Sequence, residues 1–169
     1  ADVVCVEDRR FEGEPAFDEA SYRKMVLEPI YRAIAPHDPK GVLQHEWLNA
    51  RGAIVRFERN TIEIRVMDCQ EHPSGDVAIC AAVTEVVRGL VEERWSSLQM
   101  QQDQPVAPLS GIFDAAVEFA EETLIQDARF LAALGWHRGP ARARDLWARL
   151  LDANGVLDGI WADPIATIL

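Results

Sequence analysis

Cysteine is scarce: Cys5, Cys69 and Cys80 are the only three in 169 residues. An odd, sparse set fits free thiols in a reducing compartment rather than a disulfide framework, so the expected location is the cytoplasm. Positive charge is scarce as well. Seventeen Lys and Arg against 28 Asp and Glu leave a net charge of −11. That balance argues against nucleic acid or an anionic membrane as partner, since both demand a cationic surface. It leaves room for a small phosphate-bearing ligand held locally by a few arginines. No apolar run approaches the roughly 20 residues that span a bilayer. Nothing at the start resembles a secretory leader, and no internal repeat or low-complexity stretch is visible.

What is present is globular composition, 49% hydrophobic and 27% charged, too apolar for a disordered chain. The length suits one ordinary domain, residues 1–169, with a real core. The sequence begins at Ala1 without an initiator Met and stops on the apolar Ala166-Thr167-Ile168-Leu169, as expected of a segment of a longer polypeptide.

Periodicity predicts mostly helix around a short antiparallel sheet, an α+β fold. Val3–Val6 reads as a short strand. Asp18 is a plausible N-cap for a helix with Tyr22, Met25, Val26, Ile30 and Ile34 at helical spacing, kinked or split at Pro29. Pro36 to Gly41 is a breaker. The period then changes to two: Ala53–Phe57 and Thr61–Met67 alternate on either side of Glu58-Arg59-Asn60, a hairpin within about residues 50–68. Helical spacing returns after Pro73, with Ser74 as cap, Asp76 at the positive end of the helix dipole, and Ile79, Val83, Val86 and Leu90 as the inward stripe. Gln99–Pro108 reads as a linker. A third helix is expected from about Ser110 to Leu134, ended by Gly135 in a left-handed conformation. Gly139-Pro140 opens a fourth, with Leu146, Trp147, Leu150 and Leu151 inward and Asn154-Gly155 closing it. The apolar Ile160–Leu169 reads as a last short helix.

The chemistry lies on the strands. Side chains alternate, so Thr61, Glu63 and Arg65 share one face while Ile62, Ile64 and Val66 share the other. The apolar face is expected against a helical layer, leaving a carboxylate and a guanidinium side by side on the opposite face. Charges there must be paired or coordinate something. One reading is a Glu–Arg ladder on a solvated sheet face. The other is an anion and metal site, with Glu63 as a hard oxygen ligand for Mg²⁺ and Arg65, Arg56 and Arg51 as forks for carboxylate or phosphate oxygens. Loop length discriminates. A two- or four-residue connection puts Arg56 on the face of Glu63, and a three-residue connection turns it away.

The run EWLNARGAIVRFERNTIEIRVMDCQEHPSGDVAICAAVTEVVRGL resembles the catalytic-core signature of the glutamate–cysteine ligase type 2 (carboxylate–amine ligase) family. More distantly it is similar to the paired Arg-bearing strands of glutamine synthetases. The likeness is specific between about Glu46 and Asp68. YRKMVLEPIYRAIAPHDPKGVLQHEW, Leu131–Trp136 and Asp145-Leu146-Trp147 fit the same family more loosely. The resemblance implies a glutamine synthetase-like catalytic fold and an ATP-dependent ligation in which the side-chain carboxylate of glutamate is phosphorylated and an amine, such as that of cysteine, attacks the acyl phosphate. It implies ATP and Mg²⁺ as cofactors, Glu63 as a metal ligand, Arg65 as the catalytic contact to phosphate or substrate, and Arg51, Arg56 and Asn49 as nucleotide or substrate contacts. Such enzymes draw much of their metal site from an N-terminal Glu-x-Glu strand. None precedes Glu46, since Glu12-Gly13-Glu14 runs into Pro15. The chain therefore reads as the C-terminal part of such an enzyme, completed by the rest of its parent chain and inactive alone. The alternative is a non-catalytic scaffold or interaction module of the same fold. An incomplete sheet would leave an edge that invites pairing into a homo-oligomer.

Other groupings read as structural. Cys69, His72 and Cys80 lack a fourth ligand at zinc spacing, and Cys80 falls on the expected buried stripe. His45-Glu46 reads as strand or turn surface rather than a general base. Arg138, Arg142, Arg144 and Arg149 read as a solvated helix face near acidic partners. The five tryptophans read as core or interface anchors, with Trp47 beside the candidate site.

Overall fold

Asp18 starts the first helix as its composition suggests: the carboxylate accepts hydrogen bonds from the Ser21 N–H at 2.8 Å and the Ser21 hydroxyl at 2.7 Å. This is seen in a computed structural model that describes residues 16–153. The expected strand Val3–Val6, Cys5, Glu12–Pro15, the Asn154-Gly155 helix end, Ile160–Leu169 and Trp161 lie outside the described residues. Those that are described fall into two compact units, divided between Asp68 and Cys69. Helices and two small antiparallel sheets make the fold α+β.

In the N-terminal unit α1 (Glu19–Tyr22) widens into a π-turn over Arg23–Leu27 before α2 (Glu28–Ile34). The cause is Pro29, which has no N–H to donate back one turn. The helix absorbs that loss in a π-turn, with the Glu28 N–H bonding back to the Arg23 carbonyl, and places Pro29 at the start of α2. The Pro36–Gly41 breaker closes on Asp38, whose side chain accepts from the N–H groups of Val42 and Leu43. A 3₁₀ turn over Glu46–Leu48 leads into β1 (Ala53–Arg56). Phe57–Arg59 forms a second 3₁₀ turn, Asn60 takes a left-handed φ of 51°, and β2 (Thr61–Ile64) returns antiparallel. The register pairs Arg56 with Thr61 and Ile54 with Glu63. The connection is thus the four-residue one, and Arg56 shares the face of Glu63.

One expectation fails for most of its residues. Of the apolar side chains on the Ile62 face, Ile62 is 61% exposed and Val66 53%, with only Ile64 half-buried, while Ile54 at 1% and Arg56 at 7% are buried on the other face. Alternation marks two faces but not which is covered. On β1 both faces carry apolar residues, and the buried Glu46 gives Arg56 a countercharge on the Ile54/Arg56 face.

The C-terminal unit is built around α3 (Pro73–Val91). Pro73 occupies its first position and His72 precedes it, so Ser74 lies inside the first turn rather than capping it. Asp76 instead accepts from the Gln70 N–H at 2.9 Å. The buried stripe is Ala78, Ala82 and Gly89, one residue off the expected one. The helix therefore buries its small side chains, and Cys80 is exposed. Gln99–Pro108 is not a linker: Ser97 caps α4 (Leu98–Gln102), and α5 (Val106–Phe119) follows with Pro108 in its first turn.

The single long helix expected up to Leu134 is broken. Ala120 adopts a φ of 48°, and the Thr123 hydroxyl donates to the carbonyls of Ala115 and Ala120. The chain then enters β3 (Leu124–Ile125) and α6 (Ala128–Ala133), which ends at Gly135 with a φ of 70° as expected. β4 (Ala141–Arg142) pairs antiparallel with β3, and α7 (Ala143–Ala153) follows. Ile125, Leu131, Ala141, Leu146 and Leu150 form the core, with Trp95 and Trp136 packed against it. Leu151 is buried, but Trp147, expected inward, is 38% exposed. No helix among the described residues is long and apolar enough to cross a membrane.

Candidate functional site

The hairpin and the 3₁₀ turn before it assemble the strand charges into one network. Glu63 lies at its centre. Arg56 Nη1 donates to Glu63 Oε2 at 2.5 Å, a diagonal cross-strand pair, and Arg65 Nε donates to Oε1 at 2.7 Å. Glu63 and Arg65 therefore project to the same side, as the two-residue spacing on a strand requires. Glu63 keeps a side-chain exposure of 38%, against 9% for Arg56, so the carboxylate is open to solvent while one of its cations is not.

The remaining predicted residues divide. Arg65 Nη1 also donates to the carbonyls of Asn49 at 2.7 Å and Trp47 at 3.2 Å, clamping the turn to the strand. Asn49, only 1% exposed, donates to the Tyr22 hydroxyl at 2.9 Å and accepts from Arg51 Nη1 at 3.1 Å. Arg51 thus folds onto Asn49 and not onto Glu63. Asn49 is a hub that ties the turn to α1.

Glu46 is the residue sequence reasoning passed over. Read as turn surface, it is buried, with a side-chain exposure of 4%. Its Oε2 lies 3.6 Å from Arg56 Nε and its Oε1 lies 3.7 Å from Arg23 Nη2, and Arg23 packs over the Phe57 ring with its guanidinium carbon 5.0 Å from the centroid. Neither Glu46 oxygen nor Arg56 Nε has a hydrogen-bond partner. The signal that points to Glu46 is charge balance: Arg56 and Arg65 share Glu63 on the hairpin, and a buried guanidinium calls for a second carboxylate. Burial, followed by the charge of Glu46, pushes the Tyr31 hydroxyl above its ordinary 10.0.

The hydrogen bond from Arg65, then that from Arg56, holds the Glu63 carboxyl below its ordinary 4.5. A depressed folded-state value stabilises the native hairpin above the unfolded value, and that contribution is lost as the pH falls through the folded one. Carbon-detected NMR titration is expected to place the Glu63 midpoint below 4.5, moving back toward it in Arg65→Ala. A midpoint at or above the ordinary value in the native protein would contradict the pairing.

Glu63 suits a hard cation in part. Each oxygen accepts one guanidinium hydrogen bond, and a carboxylate oxygen has a second acceptor position. No cluster of three His, Cys, Asp or Glu side chains able to hold a metal occurs among the described residues. Mg²⁺, however, is commonly held by one or two carboxylates together with substrate phosphates and water.

With this geometry in view, comparison with known proteins gives a partial match. An uncharacterized protein of Archaeoglobus fulgidus is 50% identical over 72 residues. The stretch covers 41% of this chain but only 19% of that protein, about a fifth of the relative's length, and the name carries no activity. No protein-family model matches the chain, and no solved structure matches it.

The other groupings behave as structure. His72 Nδ1 lies 3.2 Å from the Ser74 hydroxyl, and Cys69 is an exposed free thiol. Arg142 and Arg144 both pair with Glu122, and Arg149 donates to the Leu134 carbonyl. The expected acidic partner is there for two of them, but the four arginines do not share one helix: Arg138 lies in the bend before β4 and Arg142 on β4, and only Arg144 and Arg149 lie on α7. Trp47 is 43% exposed and stacks on His45 beside the network.

Proposed function

We propose that this chain supplies the C-terminal part of the catalytic floor of an ATP-dependent carboxylate–amine ligase, of glutamine synthetase-like fold, that joins the side-chain carboxylate of glutamate to an amine such as that of cysteine. In such a reaction a glutamate carboxylate oxygen attacks the γ-phosphorus of ATP and ADP departs. The amine nitrogen then attacks the acyl carbon, phosphate leaves, and the nitrogen gives up a proton. The observation that carries the reading is Glu63, a part-exposed carboxylate bracketed on one sheet face by the guanidiniums of Arg56 and Arg65. Phosphoryl transfer needs that combination: a hard oxygen ligand for the metal and planar cations for the transferred oxygens.

Glu63 would hold Mg²⁺ together with nucleotide phosphates, and the ion would offset the charge of the transferred group. Arg56 and Arg65 would orient that group. Asn49 and Arg51 would act one step removed, through the turn that Arg65 clamps. The rest of a parent chain would contribute the remaining metal ligands.

A second reading is favoured by one observation: Arg65 spends its hydrogen bonds on Glu63 and on two backbone carbonyls, as a purely structural clamp would. This is the non-catalytic module of the same fold. Mg·ATP titration into the full-length protein carrying this segment separates the two. The ligase reading expects binding to weaken at least about tenfold in Glu63→Gln and in Arg65→Ala, with hairpin amide exchange unchanged in Glu63→Gln. Unchanged affinity in both variants would leave the module reading standing.

A further inference from the structure

The turn after α6 holds an aromatic ring in a fixed place and leaves a cavity beside it. Gly135 ends the helix with a φ of 70°, and the Trp136 backbone N–H donates to the Leu131 carbonyl at 2.8 Å. The indole Nε1–H donates in turn to the Gly139 carbonyl, also at 2.8 Å. Trp136 is thus tied by backbone and ring alike. Gly139, at a φ of 87°, then turns the chain into Pro140. The cavity has a volume of about 320 Å³. Its apolar lining includes Leu131, which is 2% exposed, together with Trp136 and Pro140. Gln126 and His137 line it as well, and their side chains make no hydrogen bond or ion pair among the described residues.

Each of these features restricts the occupant. The volume lies at the lower end of small-molecule sites, roughly 300–1,000 Å³, and suits a small ring system rather than a peptide. No Asp, Glu, Lys or Arg occurs among the described residues of the lining, so a charged ligand would be desolvated without a countercharge. The indole N–H is spent on Gly139, and Trp136 therefore offers ring surface and no donor. A flat ligand gains most from such a surface, because stacking uses its whole face. A carboxamide presents a donor beside an acceptor, and a neutral imidazole presents one of each. The matching edge carries an acceptor next to a donor, as adenine does toward a glutamine side chain.

We propose that the cavity beside Trp136 binds a neutral planar nitrogen heterocycle of the nucleobase class, stacked on the indole and read along its edge by Gln126 and His137. The inference does not rest on the role proposed for Glu63, which belongs to the other unit. Trp136 is bonded in place before any ligand arrives, so only the side chains of Gln126 and His137 remain to be ordered on binding. That preorganisation lowers the entropic cost of the complex.

The test adds adenine to the full chain and follows the Trp136 Nε1–H, the Gly139 N–H and the Gln126 side-chain amide by ¹H–¹⁵N NMR. Indole is the control, since its fused rings stack equally well while its edge carries a donor and no acceptor. Adenine is expected to shift all of these signals and to bind about tenfold more tightly than indole, the worth of its edge hydrogen bonds. Gln126 is exposed, so Gln126→Ala leaves the fold intact. It is expected to weaken adenine about tenfold and leave indole unchanged. Trp136→Leu is expected to weaken both ligands, with the amide protection of α6 reporting that the unit still folds. If adenine moves none of the cavity signals, the site is overturned. It is overturned equally if indole binds as tightly as adenine and Gln126→Ala changes neither. Shifts confined to the hairpin amides would assign the base to the Glu63 network, sinking the cavity while that reading stands.

Discussion

Arg56→Ala is expected to destabilise the N-terminal unit by about 3–5 kcal/mol, the cost of removing one partner from a buried ion pair. The size follows from what remains. Glu46, with a side-chain exposure of 4%, would keep only Arg23 at 3.7 Å as a countercharge, and Glu63 would lose its 2.5 Å bond. Coulomb attraction across 3.7 Å, without a hydrogen bond, does not offset the desolvation of a carboxylate. Ion-pair geometry rather than side-chain volume should set this cost. Replacing both members, Glu46→Gln with Arg56→Gln, is therefore expected to recover most of the loss, because neither residual group is charged. Urea denaturation followed by hydrogen exchange at the hairpin amides reads the effect. A double variant as unstable as Arg56→Ala would show that packing of the arginine stem, and not charge, was at stake.

Gly89→Ala is expected to cost about 1–3 kcal/mol by overpacking, although alanine is the better helix former by about 1 kcal/mol. A Cβ at position 89 would lie 2.5 Å from Trp95 Cη2 and 2.8 Å from Cζ3. The indole cannot simply swing away. Its Cδ1 edge would lie 3.1 Å from a Cβ at Gly135, and the ring packs against the core of the C-terminal unit. Gly111, within α5, supplies the control. Nothing lies within 4 Å of a Cβ built there, so Gly111→Ala is expected to stabilise by about 0.5–1 kcal/mol. The same substitution should thus change sign between two helices. Thermal denaturation of the two variants checks it, and equal shifts would remove Trp95 as the cause.

Much of the fold could be read in the residues, and the failures share a cause. The Asp18 cap, the split at Pro29, the left-handed Gly135 and the hairpin are local matters, settled within a few residues by capping, ring chemistry and alternation. The break after Phe119 was not legible, because Ala120 and Thr123 act through a positive φ and hydroxyl bonds to carbonyls up to eight residues back. A two-residue sheet such as β3–β4 leaves no periodic trace. Its paired residues are 16 and 18 positions apart in sequence. On α3 the fully buried positions are the small Ala78, Ala82 and Gly89, while Val86 of the expected stripe packs on the core only half-buried; at Gly89 the cause is the Trp95 indole, which leaves no room for a side chain.

The site divides in the same way. Period-two alternation alone placed Glu63 and Arg65 on one side of a strand, since consecutive Cβ atoms leave a pleat in opposite directions. Whether Arg56 joined them depended on a loop of four residues rather than three, and the register decided it. That the face of Ile54 and Arg56 is buried while Ile62 and Val66 are exposed, and that Glu46 is sealed beside Arg56, came only from tertiary structure. Burial is a property of what surrounds a residue, and the surrounding groups can lie far along the chain, as with the Tyr22 hydroxyl that accepts from Asn49 Nδ2, 27 residues away.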